Sequence, residues 1–382
     1  MRCKNEKGPI REIPSHNKKL VLILGAGATY SDRANLKNIE NRPPLDRDFF
    51  KGLYPNRFDD TRYFRVAGYF DEIYGINIVE SENDSIEKTM ATVYSDIFNK
   101  KLQKKAFKAF QDLLSLFTAR LAETTNIVRI TKRIFLYQIL DYYFENGFTP
   151  DNITIISYNY DIQIEKTLEM LKKSQKWKMN DDICNFPSCY QIKITKNQIL
   201  RTESNVQLFK TTFRNNGIKI LKLHGSVNWY SKHKTERPSL IAMFSPEREI
   251  NISCMLNVSE LTNIYTSPRR FRDFLGLPII VPPIFLKSSI FHNKIKNIWL
   301  LAEKALTDSD EVLFFGYSCP VSDVESSNML KRAFRKNNKN PKISIIDPSS
   351  ETMKRYLDLL SLRRICYYQN AQEFLDTVNE VV

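Results

Sequence analysis

KLVLILGAGAT, residues 19–29, is the stretch that decides the fold. Leu20 to Leu24 form an unbroken apolar run, which suits a strand buried on both faces. Gly25 and Gly27, with one alanine between them, then permit a tight turn from strand into helix. Such a run, closed by such a turn, belongs in a parallel sheet covered by helices rather than in a half-wet antiparallel one.

Reading outward, five more runs share this character: Ile153–Ser157 (ITIIS), Ile218–Leu223 (IKILKL), Pro278–Val281 (PIIV), Val312–Gly316 (VLFFG) and Ile343–Asp347 (ISIID). Each ends in small or polar residues, and helical patterns alternate with them over much of the chain. The expectation is an α/β fold with a Rossmann-like, doubly wound parallel sheet. Two stretches break the alternation. From about 59 to 147 the pattern is mainly helical, with Phe107, Phe110, Leu114, Phe117 and Leu121 spaced by three and four along one helix face. From about 172 to 272 it is irregular and polar. Both read as insertions in one domain spanning 19–382, after an N-terminal arm of residues 1–18.

Composition narrows the class. Lys and Arg total 57 against 43 acidic residues, a formal charge of +14. That excess favours polyanionic partners such as nucleic acid or an acidic protein surface, and serves solubility equally well. No apolar run approaches the ~20 residues needed to span a bilayer. The basic N-terminus lacks the apolar core of a signal peptide. The six cysteines are scattered and form no C-x-x-C pair, so neither a disulfide scaffold nor a structural zinc site is expected. A reducing cytoplasm fits this pattern.

The chemistry-bearing residues stand at strand ends. In an open parallel sheet, ligands bind outside the carboxyl ends of strands. After the first run come Gly25, Ala26, Gly27 and Thr29, where backbone N–H groups and a helix N-terminus suit a diphosphate. A bare βα turn explains the same glycines. Asp46, within RPPLDRDFF, reads either as a helix cap or as part of a lid over a nucleotide. Ser157, Asn159 and Asp161 follow the second run. Asn159 could hold a water or a ribose hydroxyl, Asp161 could accept from a carboxamide, and both also suit helix capping. His224, followed by a glycine, is placed to act as a general base near neutral pH, or to pack as an ordinary strand-end histidine. Gly316 and Ser318 follow the VLFFG run, with a capping box expected at Ser322-x-x-Glu325. Asp347 closes the last run, where a carboxylate could hold a ribose diol.

In sequence order, GAGAT, SYNYD, LHGS, FGYS and IID resemble the NAD-binding core of the sirtuins. The likeness is strongest to the SIR2-like proteins of prokaryotic antiphage defence. Asn159 and Asp161 match the Asn and Asp of the Thr-Gln-Asn-Ile-Asp motif, with Ser157 for its Thr and Tyr158 for its Gln. His224 matches the family's catalytic histidine. Gly25, Gly27 and Thr29 match its phosphate loop, Ser318 its Gly-Thr-Ser serine (with Tyr317 for the Thr), and Asp347 its adenosine-ribose contact. The four-cysteine zinc ribbon and the Pro-Asp-Phe-Arg loop of the deacylases are missing, which counts against acyl-lysine removal. The resemblance therefore implies NAD as substrate without a metal, and an NAD glycohydrolase with Asn159 and His224 as catalytic residues. It also implies activation by homo-oligomerisation or by a separate partner such as a HerA-type ATPase or a short Argonaute. Nucleic-acid contact, direct or through the partner, would fit the charge. A non-catalytic NAD or ADP-ribose sensor in a nucleic-acid-associated complex, and a deacylase or ADP-ribosyltransferase, are the alternatives.

Overall fold

A computed structural model describes residues 17–32, 49, 61–78, 85–127, 133–174, 176–177, 183–184, 188–191, 216–231, 252–254, 277–281, 293–361 and 365–380. Six parallel strands make the main sheet: β1 (Leu20–Leu24), β2 (Ile153–Ser157), β3 (Lys219–Lys222), β7 (Glu311–Phe315), β8 (Lys342–Ile346) and β9 (Cys366–Tyr368). Their spatial order is β3-β2-β1-β7-β8-β9. The chain builds outward from β1 in one direction and then, from β7, in the other. This is the doubly wound order, and its reversal between β1 and β7 is the topological switch point. The registers are regular, with Leu20 paired to both Ile153 and Glu311. All five residues of β1 are buried, as a central strand covered on both faces requires.

Helices cover the sheet. A short α1 (Ala26–Ser31) follows β1. Between it and β2 the described residues include α2 (Thr61–Tyr74), α3 (Ile86–Asp96), α4 (Gln103–Ile127) and α5 (Phe135–Glu145). They form the helical insertion that the periodicity predicts. Phe110, Leu114, Phe117 and Leu121 are buried in the core and Phe107 packs partly buried against it, so this face of α4 is interior. Polar ties fix the module, among them a two-pronged contact from Arg65 to Asp112 at 2.6 Å on each prong. After β2 comes α6 (Gln163–Ser174), with Glu165 in its first turn and Lys172 and Lys173 in its last, charges that complement the helix dipole. The C-terminal half adds α7 (Asn293–Thr307), α8 (Val324–Lys336), α9 (Ser350–Leu360) and α10 (Ala371–Glu380).

Three details differ from the sequence expectation. The 278–281 run is not in the parallel sheet. It falls in β6 (Leu277–Ile280), the edge of a separate antiparallel ribbon with β4 (Gly225–Ser231) and β5 (Ile252–Cys254) in the order β5-β4-β6. Pro278 has no N–H to give a ladder, and an edge tolerates that loss. Strand β9 is added by three residues too few and too exposed to announce themselves. The capping box is absent as well: α8 takes Asp323 as its N-cap, without a side-chain cap bond. The Asp323 carboxylate instead accepts from the Tyr317 hydroxyl at 2.8 Å. Among the described residues, no helix is long and apolar enough to cross a membrane.

Candidate functional site

The glycine turn after β1 is shaped by its neighbour. The Gly25 N–H donates to the Phe315 carbonyl at 3.1 Å, and that of Gly27 to the Gly316 carbonyl at 3.0 Å. The Ala28 N–H turns back onto the Gly25 carbonyl at 3.0 Å. A Cβ on Gly25 would lie 2.4 Å from the Gly316 oxygen, and one on Gly316 would lie 2.1 Å from the Ala28 nitrogen. Gly316 also has φ +63°, in the left-handed region. The strand-end turns of β1 and β7 thus interlock backbone to backbone at the switch point, and glycine is needed there for that reason alone. Ala26 is the exposed residue of the turn.

Beside it, Thr29, Asn159 and Asp161 form one directed relay. The Asn159 side-chain amide donates to the Gly25 carbonyl at 2.8 Å and to the Thr29 hydroxyl at 3.1 Å. Thr29 passes its own proton to Asp161 Oδ2 at 2.9 Å. Asp161 Oδ1 accepts the Gln163 N–H at 2.9 Å, which starts α6. Because one Asn159 contact is a carbonyl, the amide orientation is fixed: its two N–H groups are spent inward, leaving Oδ1 as its group for a ligand. Ser157 shapes the same turn, its hydroxyl accepting the Asn159 backbone N–H at 3.1 Å. All four residues are buried.

His224 lies at the end of the neighbouring strand, β3, buried in an aromatic surround. Its ring meets Tyr158 edge-on with centroids 5.4 Å apart, stacks near Tyr160 at 5.8 Å and tilts against Trp299 of α7 at 6.2 Å. Tyr158 and Tyr160 flank Asn159 in sequence, so two rings that wall His224 come from the turn that carries the asparagine. Hydrogen bonds hold those walls. Trp299 donates to the Leu223 carbonyl at 2.9 Å, and the Tyr160 hydroxyl to the Val281 carbonyl at 2.8 Å. Gly225, at φ +79°, has the Ile279 carbonyl 2.1 Å from where its Cβ would be, so the His-Gly pair docks the ribbon directly on the strand end.

Tyr158 and Tyr317 lie face to face, 3.7 Å between centroids and 5° between planes. They bridge the end of β2 to that of β7 across the switch point. Burial holds both phenols, and that of Tyr160, well above the ordinary tyrosine range. Burial likewise pushes up the Cys319 thiol.

The other expected residues occupy the far side. Ser318 is half-buried, and its carbonyl accepts from Arg355 of α9 at 2.7 Å. Asp347, buried after β8, accepts the Ser349 N–H at 2.9 Å, while its own carbonyl accepts from Tyr367 at 2.8 Å. Thus Gly25, Ala26, Gly27, Thr29, Ser157, Asn159, Asp161, His224, Gly316, Ser318 and Asp347 all lie at the carboxyl ends of neighbouring parallel strands. Asp46 lies outside the described residues. Sequence reasoning missed the aromatic walls and also Lys222, a fully buried cation two residues before His224. A lysine set between Leu221 and Leu223 in a strand run was the available signal, since lysine is almost never buried without a partner. Among the described residues, no group of three or more His, Cys, Asp or Glu could hold a metal ion.

No protein-family model and no curated protein matches the chain. A solved structure described as "Structural Basis for the Mechanism and Regulation of Sir2 Enzymes" is similar over 97% of this chain and 95% of its own, with 12% sequence identity and a TM-score of 0.41.

Proposed function

We propose that the chain binds NAD across the switch point and hydrolyses its nicotinamide–ribose bond. The observation that carries this reading is the Asn159–Thr29–Asp161 relay, which fixes the Asn159 amide at the end of β2, the strand paired with the one that leads to His224. A diphosphate would lie on the exposed Ala26 side of the β1 turn, near the helix N-terminus that follows. Ser318 and Asp347 stand on the adenosine side, where Asp347 suits a ribose diol. Asp161, already oriented by Thr29 and Gln163, supplies an acceptor for the nicotinamide carboxamide.

The reaction takes NAD and water to ADP-ribose, nicotinamide and a proton. Asn159 Oδ1 accepts from the attacking water and fixes it below the anomeric carbon. His224 takes the proton that the water or a ribose hydroxyl gives up. Positioned acid–base groups of this kind contribute about 10²–10⁴-fold. Tight aromatic packing around His224, a residue 5% exposed, supports a gated enzyme. Oligomerisation or a separate partner would have to part Tyr158, Tyr160 or Trp299 to admit substrate. A role in antiphage defence, where NAD loss would arrest an infected cell, is consistent with such gating.

A second reading has its own support. Both amide protons of Asn159 are used internally, as a purely structural residue would use them, and a non-catalytic NAD or ADP-ribose sensor needs no more. One experiment separates the two: nicotinamide release from NAD, followed with and without candidate activators, for wild type, Asn159→Ala and His224→Ala. The enzyme reading expects release by wild type and a loss of about 10²–10⁴-fold in each variant. ADP-ribose binding without nicotinamide under every condition would favour the sensor, and wild-type turnover in both variants would remove Asn159 and His224 from the mechanism.

A further inference from the structure

Lys222 is 0% exposed, and its ammonium is saturated. It donates to the Asp161 carbonyl, to Glu165 Oε1 at 3.0 Å and to the Ser226 hydroxyl at 2.8 Å. Three protons meet three acceptors. Glu165, itself buried, also accepts from the Tyr190 hydroxyl at 2.8 Å, and Tyr190 in turn accepts from the Asn228 amide at 2.9 Å. A serine beside a lysine can elsewhere be a nucleophile and its base. Here the lysine is the donor, and the Ser226 proton is directed to the Tyr160 carbonyl at 3.3 Å.

The three acceptors belong to different pieces of the site. The Asp161 carbonyl belongs to the turn that carries Asn159, Glu165 to the helix that turn starts, and Ser226 to the strand that leaves His224. A buried ion pair is weak evidence for stability, since apolar residues of similar volume often do as well. Its geometric effect is specific: one cation fixes both catalytic segments relative to each other. We propose that Lys222 is a positioning residue, holding the turn that carries Asn159 and Asp161 against the strand end that carries His224. This rests on the function proposed above.

Removing the lysine alone would strand Glu165, whose second oxygen, Oε2, is buried without a hydrogen-bond partner. The test therefore uses the Lys222→Met/Glu165→Gln double variant of the full chain, which removes both charges together. Two quantities are read: steady-state nicotinamide release from NAD under activating conditions, and the side-chain amide resonance of Asn159 in isotope-labelled protein, assigned by its loss in Asn159→Ala. The expectation is a folded protein with kcat reduced about 10²-fold, as for a misplacement near 1 Å, KM for NAD little changed, and a displaced Asn159 resonance. Ser226→Ala, which deletes one acceptor and leaves no bare charge, should show the same changes at smaller amplitude. It keeps the proposal refutable if the double variant does not fold. A folded variant with wild-type kcat overturns the positioning role, as does an unmoved Asn159 resonance. If wild type releases no nicotinamide under any condition, the proposed activity fails, while the resonance still decides what Lys222 holds.

Discussion

Replacing Thr29 by valine removes one hydroxyl at nearly constant shape and tests the centre of the site. Thr29 accepts from the Asn159 amide at 3.1 Å and donates to Asp161 Oδ2 at 2.9 Å, and it is 4% exposed. A neutral hydrogen bond contributes about 1 kcal/mol and one to a charged group about 1.5–3 kcal/mol. Asn159 and Asp161 would each keep one other contact, to Gly25 and Gln163, so the expected loss is about 2.5–3 kcal/mol, the lower part of that sum. Thr29→Ser keeps both bonds and loses a methyl, at about 1 kcal/mol. Urea unfolding should therefore give a lower midpoint for the valine variant than for the serine variant, with an unchanged m-value. In a double-mutant cycle, Thr29→Val and Asn159→Ala should couple by about 0.5–3 kcal/mol. Equal midpoints for valine and serine, or strict additivity with Asn159→Ala, would refute the relay. The assay needs no substrate, so its answer is independent of the activity.

Glycine substitutions should separate by environment. Gly316→Ala, with φ +63° and a backbone nitrogen 2.1 Å from the new Cβ, should fail to give stable protein, whereas exposed Gly68 in α2, with nothing within 4 Å, should gain up to about 1 kcal/mol as alanine. Thermal midpoints check both, and a tolerated Gly316→Ala would contradict the interlocked turns. At high pH the tyrosines report on packing. Burial raises Tyr143, Tyr158, Tyr160, Tyr317 and Tyr356 well above the ordinary 10.0, so their folded forms hold protons that the unfolded chain gives up. Their stabilising effect is complete below pH 10 and is lost as pH rises above it. Phenolate absorbance from these residues should appear together with loss of near-ultraviolet circular dichroism, and full ionisation near pH 10 with the fold intact would count against their burial.

The sheet was legible where burial leaves a mark in composition. LVLIL, ITIIS, VLFFG and ISIID are apolar because strands covered on both faces must be, and they became β1, β2, β7 and β8. The 278–281 run carries the same composition for another reason, an edge strand packed on one side of a ribbon, and composition cannot tell the two apart. Cys366–Tyr368 left no pattern because three half-exposed residues are too few to set a period. In the site, strand-end position located Asn159, Asp161 and His224, since parallel topology gathers such ends. Their internal partners were not legible. That Thr29 joins Asn159 to Asp161, or that Lys222 pairs with Glu165, depends on contacts between segments over 50 residues apart in sequence.

The interlock of Gly25, Gly27 and Gly316 bears on how chains of this kind should be sorted. Each of these positions is closed to larger residues by a neighbouring peptide, whether or not a nucleotide ever arrives. A chain with no chemistry at all would still need the same three residues to fold. Their presence is thus a mark of architecture, and by itself it says nothing about what such a chain binds.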